Sequence, residues 1–472
     1  MDPKLYKEVK SELLSILGEA RILCRKADLL PYTTDAYIGL IRLGEDVKYF
    51  PDFVVLPETT VEVQKIVKLA ARHRIPLLPK GGGSNRTGML IPLQGGIIVD
   101  TIKMNKIIEV NLSNLFITAQ PGITLKELDE QLEKHGIALN HEQGSYKVAT
   151  VGGTISTAGF GRNYQKYGII SDRVMSLEVI LANGSVLRTG PKVLYTSTGY
   201  RLNQLFIGAE GTLGIITEVT LRVEPLPEAK DIIMGFFPDF WAALDVAKET
   251  LASGVTFVGG DVSELDNGSE WDAPNGMNGI FCVSLEGIRG EVEAEKAFIR
   301  GIMEQAGGVI ADKESALKRH ENFTIEWCGS RAVTGYEDDF LPYIPIERVR
   351  EFYDKVWNEI MLQFGIEPLQ DAKYSMDVGR YQMVYGKFCI PVGNKGWENY
   401  TKAQKAIAEL AISLGGSVAA CTGIGIKHRE FMPLEFSEIA LDVMRSIKKV
   451  LDPDNIMNPG KKLPPNESTK KN

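Results

Sequence analysis

Three successive glycines, Gly81, Gly82 and Gly83, constrain this chain more than any other feature, inside the run Pro79-Lys80-Gly81-Gly82-Gly83-Ser84-Asn85-Arg86-Thr87-Gly88. They follow the apolar run Ile75-Pro76-Leu77-Leu78, so the backbone passes from a strand into a turn that no Cβ crowds. Backbone N–H groups in such a turn can close around an anion, which makes the run a candidate phosphate cradle. No Gly-Lys-Ser/Thr follows, so this is not a Walker loop. The Gly-x-Gly-x-x-Gly of a Rossmann turn is also missing. By itself the run fits a plain surface loop equally well.

At 472 residues the chain is too long for one compact core, and two or three domains are expected. Its 53 basic against 61 acidic residues give a net charge of −8, which argues against a broad nucleic-acid footprint. Cys24, Cys282, Cys328, Cys389 and Cys421 are scattered and never spaced Cys-x-x-Cys. A reduced, cytoplasmic protein without its own iron–sulfur cluster is the expectation. The start, Met1-Asp2-Pro3-Lys4-Leu5-Tyr6, lacks a basic region followed by an apolar core, so no secretory signal is expected. No apolar run approaches the ~20 residues that a membrane span needs.

Leu5, Val9, Leu13, Leu14 and Leu17 predict an amphipathic helix over 5–18. Asp52–Pro57 reads as a buried strand, and Thr59 with Glu62 forms a capping box ahead of Val63, Ile66, Val67 and Ala70. Thr124 with Glu127 repeats the pattern, and Gly136 stands where a C-cap glycine is expected. Asn183-Gly184, between two β-rich flanks, predicts a hairpin with a type I′ turn. Beyond Pro225-Leu226-Pro227, strand-like and helix-like segments alternate, an irregular stretch covers 320–380, and strand-like 383–391 and helix-like 400–414 follow. Phe436, Ile439, Val443, Ile447 and Leu451 line one face of a last helix, which Pro453 ends.

Two further stretches accompany the glycine run. One is Gly144–Gly161, small and hydroxyl-rich, with Tyr167-Gly168 soon after; the other is Gly208-Ala209-Glu210-Gly211-Thr212-Leu213-Gly214-Ile215-Ile216. Together they resemble the flavin-binding domain of the vanillyl-alcohol oxidase/p-cresol methylhydroxylase superfamily, in its glycolate oxidase subunit/D-lactate dehydrogenase branch. The resemblance spans about 51–225 and resumes at 423–461. It implies an α+β protein: a two-part FAD-binding domain of the p-cresol methylhydroxylase type and an α+β cap over the substrate with an antiparallel sheet. The corresponding divisions are a helical segment at 1–47, the FAD-binding domain at 48–227, the cap at 228–415, a returning segment at 416–465 and a disordered tail at 466–472.

By the same resemblance Lys80, Gly81, Gly82, Gly83, Ser84, Asn85, Thr87 and Gly88 hold the pyrophosphate. Pro79, Pro121, Gly144, Ser145, Thr150, Gly153, Thr157, Gly161, Glu210, Gly211 and the backbone of Ile216 line the cofactor, and Asn458 matches a family asparagine near the flavin. Some members attach FAD through a histidine in or just after the glycine loop; here Ser84 and Asn85 stand there, which implies non-covalent FAD. Typical members of the branch also carry His-x-Gly-Asp-Gly-Asn-x-His and Glu-His-Gly-Ile-Gly as metal ligands and base. This chain reads Tyr374-Ser375-Met376-Asp377-Val378-Gly379-Arg380 and Cys421-Thr422-Gly423-Ile424-Gly425 in those places, so no metal is expected.

Arg331 stands about where the family's substrate-carboxylate arginine occurs, and a solvated surface arginine is the alternative. His428 and Arg429 follow the Gly-Ile-Gly turn, with His428 a candidate for proton handling or a structural helix-entry residue. Tyr374, Tyr385 and Arg380 are candidates on spacing alone. The expected activity is FAD-dependent oxidation of a small 2-hydroxy acid of the D-lactate or glycolate type, with hydride delivery to flavin N5. Electrons would pass to an acceptor protein, either iron–sulfur or electron-transfer flavoprotein. A phenol or aryl-alcohol oxidoreductase, a transfer reaction of the alkylglycerone-phosphate synthase kind and a non-catalytic electron-relay subunit stay open. A homo-oligomer is compatible with the sequence.

Overall fold

The computed structural model describes residues 1–37, 49–265, 273–329, 337–368, 373–379, 382–390 and 394–465. Helix α1 (Pro3–Leu17) is capped by Asp2, whose carboxylate accepts the Lys4 amide at 2.9 Å, and it buries Val9, Leu13 and Leu17. Strand β1 (Ile22–Leu23) pairs antiparallel with β2 (Phe53–Val55), so the first segment carries a sheet edge as well as its helix. Helix α2 (Thr60–His73) opens on the foreseen capping box, with Glu62 N donating to Thr59 Oγ1 at 3.2 Å and Thr59 N to the Glu62 carboxylate at 3.2 Å. Strands β2 and β3 (Leu77–Lys80) both lie parallel to β4 (Ile97–Asp100), in the order β1-β2-β4-β3. Val63, Ile66 and Val67 of α2 share one core with Val9 and Leu13 of α1.

A second, antiparallel sheet joins β5 (Ile107–Asn111), β6 (Phe116–Ala119), β7 (Val174–Ile180), β8 (Val186–Arg188) and β9 (Ile215–Arg222) in the order β5-β6-β9-β7-β8. Helices α3 (Leu125–Leu132) and α4 (Val151–Ser156) add Leu125, Leu128, Leu132, Val151 and Ile155 to its core. The β7–β8 loop is not the expected type I′ turn, which needs positive φ at both central residues. Gly184 alone has one, 79°. The Asn183 side chain accepts the Ser185 amide at 2.9 Å, and a five-residue loop with a left-handed glycine separates the pair Ile180 and Val186.

The cap contains β10 (Ala229–Phe237), α5 (Phe240–Ala252), β11 (Gly259–Glu264), β12 (Gly279–Gly287), α6 (Arg289–Gln305), β13 (Val309–Ile310), α7 (Lys313–Gly329) and β14 (Glu337–Phe340). Helix α8 runs through Val349–Lys355, a π-helical Val356–Met361 and Leu362–Phe364. Then come β15 (Glu367–Pro368), β16 (Ser375–Val378), β17 (Met383–Cys389) and α9 (Asn394–Ser413). The strands form one antiparallel sheet, β13-β10-β12-β11-β16-β17-β14, with β15 also on β17. The stretch expected to be irregular thus carries the end of α7, all of α8 and β16. Val349, Phe352, Tyr353, Val356 and Trp357 recur at helical spacing and enter the cap core. Strand β11 escapes sequence reading because Gly259, Gly260 and Asp261 obscure its pattern.

After α10 (Glu438–Leu451) the chain returns to the first sheet. Leu77 N donates to Ile456 O and Asn458 N to Leu77 O, each at 2.7 Å, so 456–458 extends that sheet past β3. The apolar stripe expected on α10 packs at one end only: Leu451 joins the core of the second sheet and Ile447 is half-buried, Ile439 and Val443 are exposed, and the helix's fully buried residue is Leu441, outside the stripe. Residues 466–472, expected to be disordered, lie outside the described residues.

Candidate active site

The glycine run leaves β3 and forms one wall of a cavity of about 480 Å³ between the two amino-terminal sheets, the cap strands β16 and β17, and the returning segment. Its glycines are required by contact. A Cβ on Gly81 would stand 2.2 Å from Thr150 Oγ1, and one on Gly82 would stand 1.8 Å from Val148 O. Main-chain groups therefore line the cavity where side chains would fill it. Opposite them, Thr150 caps α4 by accepting the Gly153 amide at 3.2 Å, and Thr157 Oγ1 donates back to Gly153 O at 3.1 Å.

Seventeen of the twenty expected cofactor residues line this cavity: Pro79 to Asn85, Pro121, Gly144, Ser145, Thr150, Gly153, Thr157, Glu210, Gly211, Ile216 and Asn458. Thr87, Gly88 and Gly161 do not. Thr87 O accepts the Ile426 and Lys427 amides at 2.9 and 3.1 Å, and Gly88 lies so close to Ile426 that a Cβ would come within 2.4 Å. Both lock the loop onto the returning segment. Gly161 packs against the ring of His141. Lys80 turns its ammonium onto Asp100, at 2.9 Å, and Asn85 spans from Thr422 O to Thr87 N, both at 2.8 Å.

Glu210 is the hinge pin of the far wall. Its carboxylate accepts the amides of Ile424 at 2.7 Å and Gly425 at 2.8 Å, from a backbone held at φ 55°. Asn458 donates to Glu210 O at 2.8 Å and Met89 O at 3.2 Å, while its buried Oδ1 meets no protein donor on this cavity wall. That orphaned acceptor and the Cβ-free cradle fit a bound group with N–H donors and phosphates.

At the cap end Phe160, Arg162, Asp377, Met383, Tyr385 and Cys421 face the cavity. Leu341, Met383 and Tyr385 form an apolar cluster with Phe160, Ala420 and Cys421. Within it the Tyr385 hydroxyl donates to the Asp377 carboxylate. Burial pushes the Asp377 carboxyl up to about 7, which the Tyr385 hydrogen bond opposes and nearby Asp261 reinforces. Burial likewise raises the Cys421 thiol to about 12, leaving it neutral and unreactive. Arg162 Nη1 donates to His320 O at 2.8 Å and ties this end to α7.

The expected catalytic residues distribute differently. Arg331 and Arg380 lie outside the described residues. Tyr374 is in the cap core, its ring 5.0 Å from that of Tyr353 and 5.5 Å from that of Phe240, away from the cavity. His428 sits behind the cavity wall, beside a void of about 10 Å³ shared with Arg86, Asp339 and Lys427. Burial, reinforced by Lys427, holds it well below the usual histidine range, so it is neutral. Arg429 points outward to Glu430 and Gly460 O. Asp377 was not singled out from the sequence. Its signal is a carboxylate between Met376 and Val378 in strand Ser375–Val378. Among the described residues one group of three metal-ligand types, Glu8, Glu12 and His73, lies on α1 and α2, apart from the cavity.

A backbone cradle opening into a chamber lined by Asp377, Tyr385 and apolar side chains, taken with the comparisons, defines an FAD-dependent oxidoreductase. Residues 51–190 match the FAD binding domain family and 380–462 the C-terminal domain of FAD linked oxidases. The chain is 30% identical to the D-lactate dehydrogenase of Archaeoglobus fulgidus, over 86% of this chain and 90% of that one. It is 27% identical to the glycolate oxidase subunit GlcD of Bacillus subtilis, over 97% of both. Its fold is that of p-cresol methylhydroxylase, with a TM-score of 0.78 at 18% identity over 98% of this chain and 97% of the other. The chain belongs to the family of FAD-linked oxidoreductases that includes this D-lactate dehydrogenase. No helix among the described residues is long and apolar enough to cross a membrane.

Proposed function

We propose that this enzyme oxidises the CH–OH group of a small 2-hydroxy acid of the D-lactate or glycolate kind. On this reading residues 48–227 and 416–465 hold a dissociable FAD, and 228–415 cover the substrate. The observation that carries the proposal is the Asp377 carboxyl, held by Tyr385 at the cap end of a cavity whose other walls are the glycine cradle. Bound FAD supplies the hydride acceptor for such a substrate. Asp377 takes the hydroxyl proton, and its carboxyl, raised to about 7, is poised between its two forms near neutral pH. Tyr385 fixes the carboxylate's orientation. Arg162 contributes the positive charge that a substrate carboxylate requires, and Phe160, Met383 and Leu341 exclude water. Electrons then leave for an acceptor protein, iron–sulfur or flavin-bearing. The names of the D-lactate dehydrogenase and glycolate oxidase relatives support the substrate class.

A second reading, oxidation of an aryl alcohol, is favoured by the apolar, partly aromatic walls of the chamber. Anaerobic mixing of the FAD-loaded enzyme with D-lactate, glycolate and 4-hydroxybenzyl alcohol separates the two by flavin bleaching. Reduction by a hydroxy acid is expected. Reduction by the aryl alcohol alone transfers the assignment to the second reading, and no reduction by any of the three leaves an electron-relay role.

A further inference from the structure

Helix α10 is the most sharply segregated helix of the chain and yet one of the least covered. Of its fourteen residues only Leu441 is buried. Ile439 is 79% exposed, Val443 55% and Val450 78%. Helices of this length are marginal in water without tertiary packing, and packing normally claims the apolar face. Here Leu441 and Leu451 pack inward, and polar ties complete that side. Lys448 Nζ donates to Thr212 O at 2.7 Å and Met457 O at 2.8 Å, and Ser437 caps the amino end through the Ala440 amide at 3.3 Å.

The exposed side carries two parallel rows. Ile439, Val443, Ser446 and Val450 follow one another at intervals of four, three and four, the spacing of a helix-pairing seam. Beside that seam Glu438, Asp442, Arg445 and Lys449 repeat the same intervals, acidic in the first half and basic in the second. The two carboxylates retain 67% and 63% exposure, while Arg445, which both contact, is 19% exposed and forms the inner rim of the row. Such a row is complementary to its own reverse. Turned antiparallel about a twofold axis, Glu438 meets Lys449 of a second copy and Asp442 meets its Arg445, while Ile439 meets Val450 and Val443 meets Ser446. A parallel arrangement would set like charges side by side.

We infer that α10 is a self-association surface, on which a second copy of this chain packs its own α10 antiparallel through the Ile439–Val443–Val450 seam. A pair of helices about 21 Å long falls short of the ~800 Å² per partner of a standard stable interface, so the dimer is weak and concentration-dependent.

Sedimentation of the FAD-loaded full chain over a wide concentration range tests this. The average mass should climb from 52.1 kDa towards twice that value. Ile439→Glu should hold the protein at the single-chain mass throughout. Glu438→Lys and Lys449→Glu should each weaken association about tenfold, because each places like charges together at two symmetry-related points, and the double variant should recover it. Flavin content and melting temperature report that each variant is folded, and the charge variants decide the matter should Ile439→Glu fail to fold. A wild-type chain that stays at the single-chain mass overturns the proposal. So does a dimer indifferent to these changes, or a double variant no better than the singles.

Discussion

Tyr385 donates its phenolic proton to the carboxylate of Asp377 from the neighbouring strand, at the one place where the cap sheet opens onto the cavity. The two are eight positions apart in sequence but come from adjacent antiparallel strands, β16 and β17, where Ser375 pairs with Tyr385 and Asp377 with Met383. Both side chains project to the same face, and a hydrogen bond of this kind favours the ionised carboxylate against the burial that disfavours it.

Substrate-dependent flavin reduction should therefore rise with pH up to about 7 and level off above it, because the base must be ionised to accept a proton. Asp377→Asn should slow that reduction by roughly 10²–10⁴-fold and flatten the profile, with FAD content unchanged. Tyr385→Phe removes the hydrogen bond that lowers the carboxyl, so its midpoint should move upward. Stability follows the same proton: the folded chain holds it and the unfolded chain releases it between pH about 4 and 7, so this group's contribution declines as pH rises through that window. Stopped-flow reduction and thermal melts across pH 5–9, the latter compared with Asp377→Asn, measure both effects.

Gly82→Ala should abolish the colour of the purified protein. The new methyl group would lie 1.8 Å from Val148 O, a main-chain atom that cannot turn aside, so the cradle must open. A loss in FAD affinity of at least about 100-fold, roughly 2.7 kcal/mol, is expected by titration with the cofactor. Retention of a full flavin complement would remove the cradle from the binding site.

The glycine run, the two capping boxes and the strand–helix–strand order around them were legible because each depends on residues that are neighbours in the chain. The run Gly81-Gly82-Gly83 and the Thr59–Glu62 pair announce themselves locally, although the atoms that demand the glycines, Thr150 Oγ1 and Val148 O, lie far along the chain. The cap end was legible only in part: Tyr385 was singled out and faces the cavity, whereas Asp377 was missed for a reason of parity. Successive side chains of a strand alternate between faces, so Tyr374, Met376 and Val378 enter the cap core while Asp377 turns to the cavity. Choosing Tyr374 from the motif picked the wrong face by an odd number of residues. His428 misled differently. It follows Cys421 and Thr422, which line the site, but the chain has by then passed behind Thr87, and what surrounds the imidazole is Lys427, Arg86, Asp339 and Phe431. The stripe on α10 shows the opposite limit, a helical periodicity that the fold covers at Leu451 and leaves exposed at Ile439 and Val443.

Arg86, inside the glycine run, pairs with Asp339 of β14 at 2.6 Å, both side chains being buried. The pair couples the cofactor loop to the cap, next to a second buried pair, Lys427 with Asp338, also at 2.6 Å. Removing one member strands a charge in low dielectric, so Arg86→Met or Asp339→Asn should each cost about 3–5 kcal/mol. The double variant should cost well below their sum, by about 1–3 kcal/mol, because neither charge is then left alone. Urea unfolding of the four proteins gives the coupling directly, and strict additivity would show that the loop and cap are held by other contacts.

Acid precipitation should leave all the flavin in the supernatant. A covalent link needs a nucleophile on the cavity wall, and among the described residues that line it there is no histidine. Ser84 and Asn85 stand at the end of the glycine run, and the one thiol, Cys421, is kept protonated by a burial that lifts it to about 12, against a neighbouring Arg86 that would lower it. The cofactor would then be held by main-chain contacts, Asn458 Oδ1 and the shape of the cradle, all of which acid dissolves when it unfolds the chain. Absorbance of the supernatant against that of the redissolved pellet measures the outcome. Flavin in the pellet of the wild-type protein that disappears in Cys421→Ser would identify a thioether and displace the reading of Cys421 as an inert wall residue.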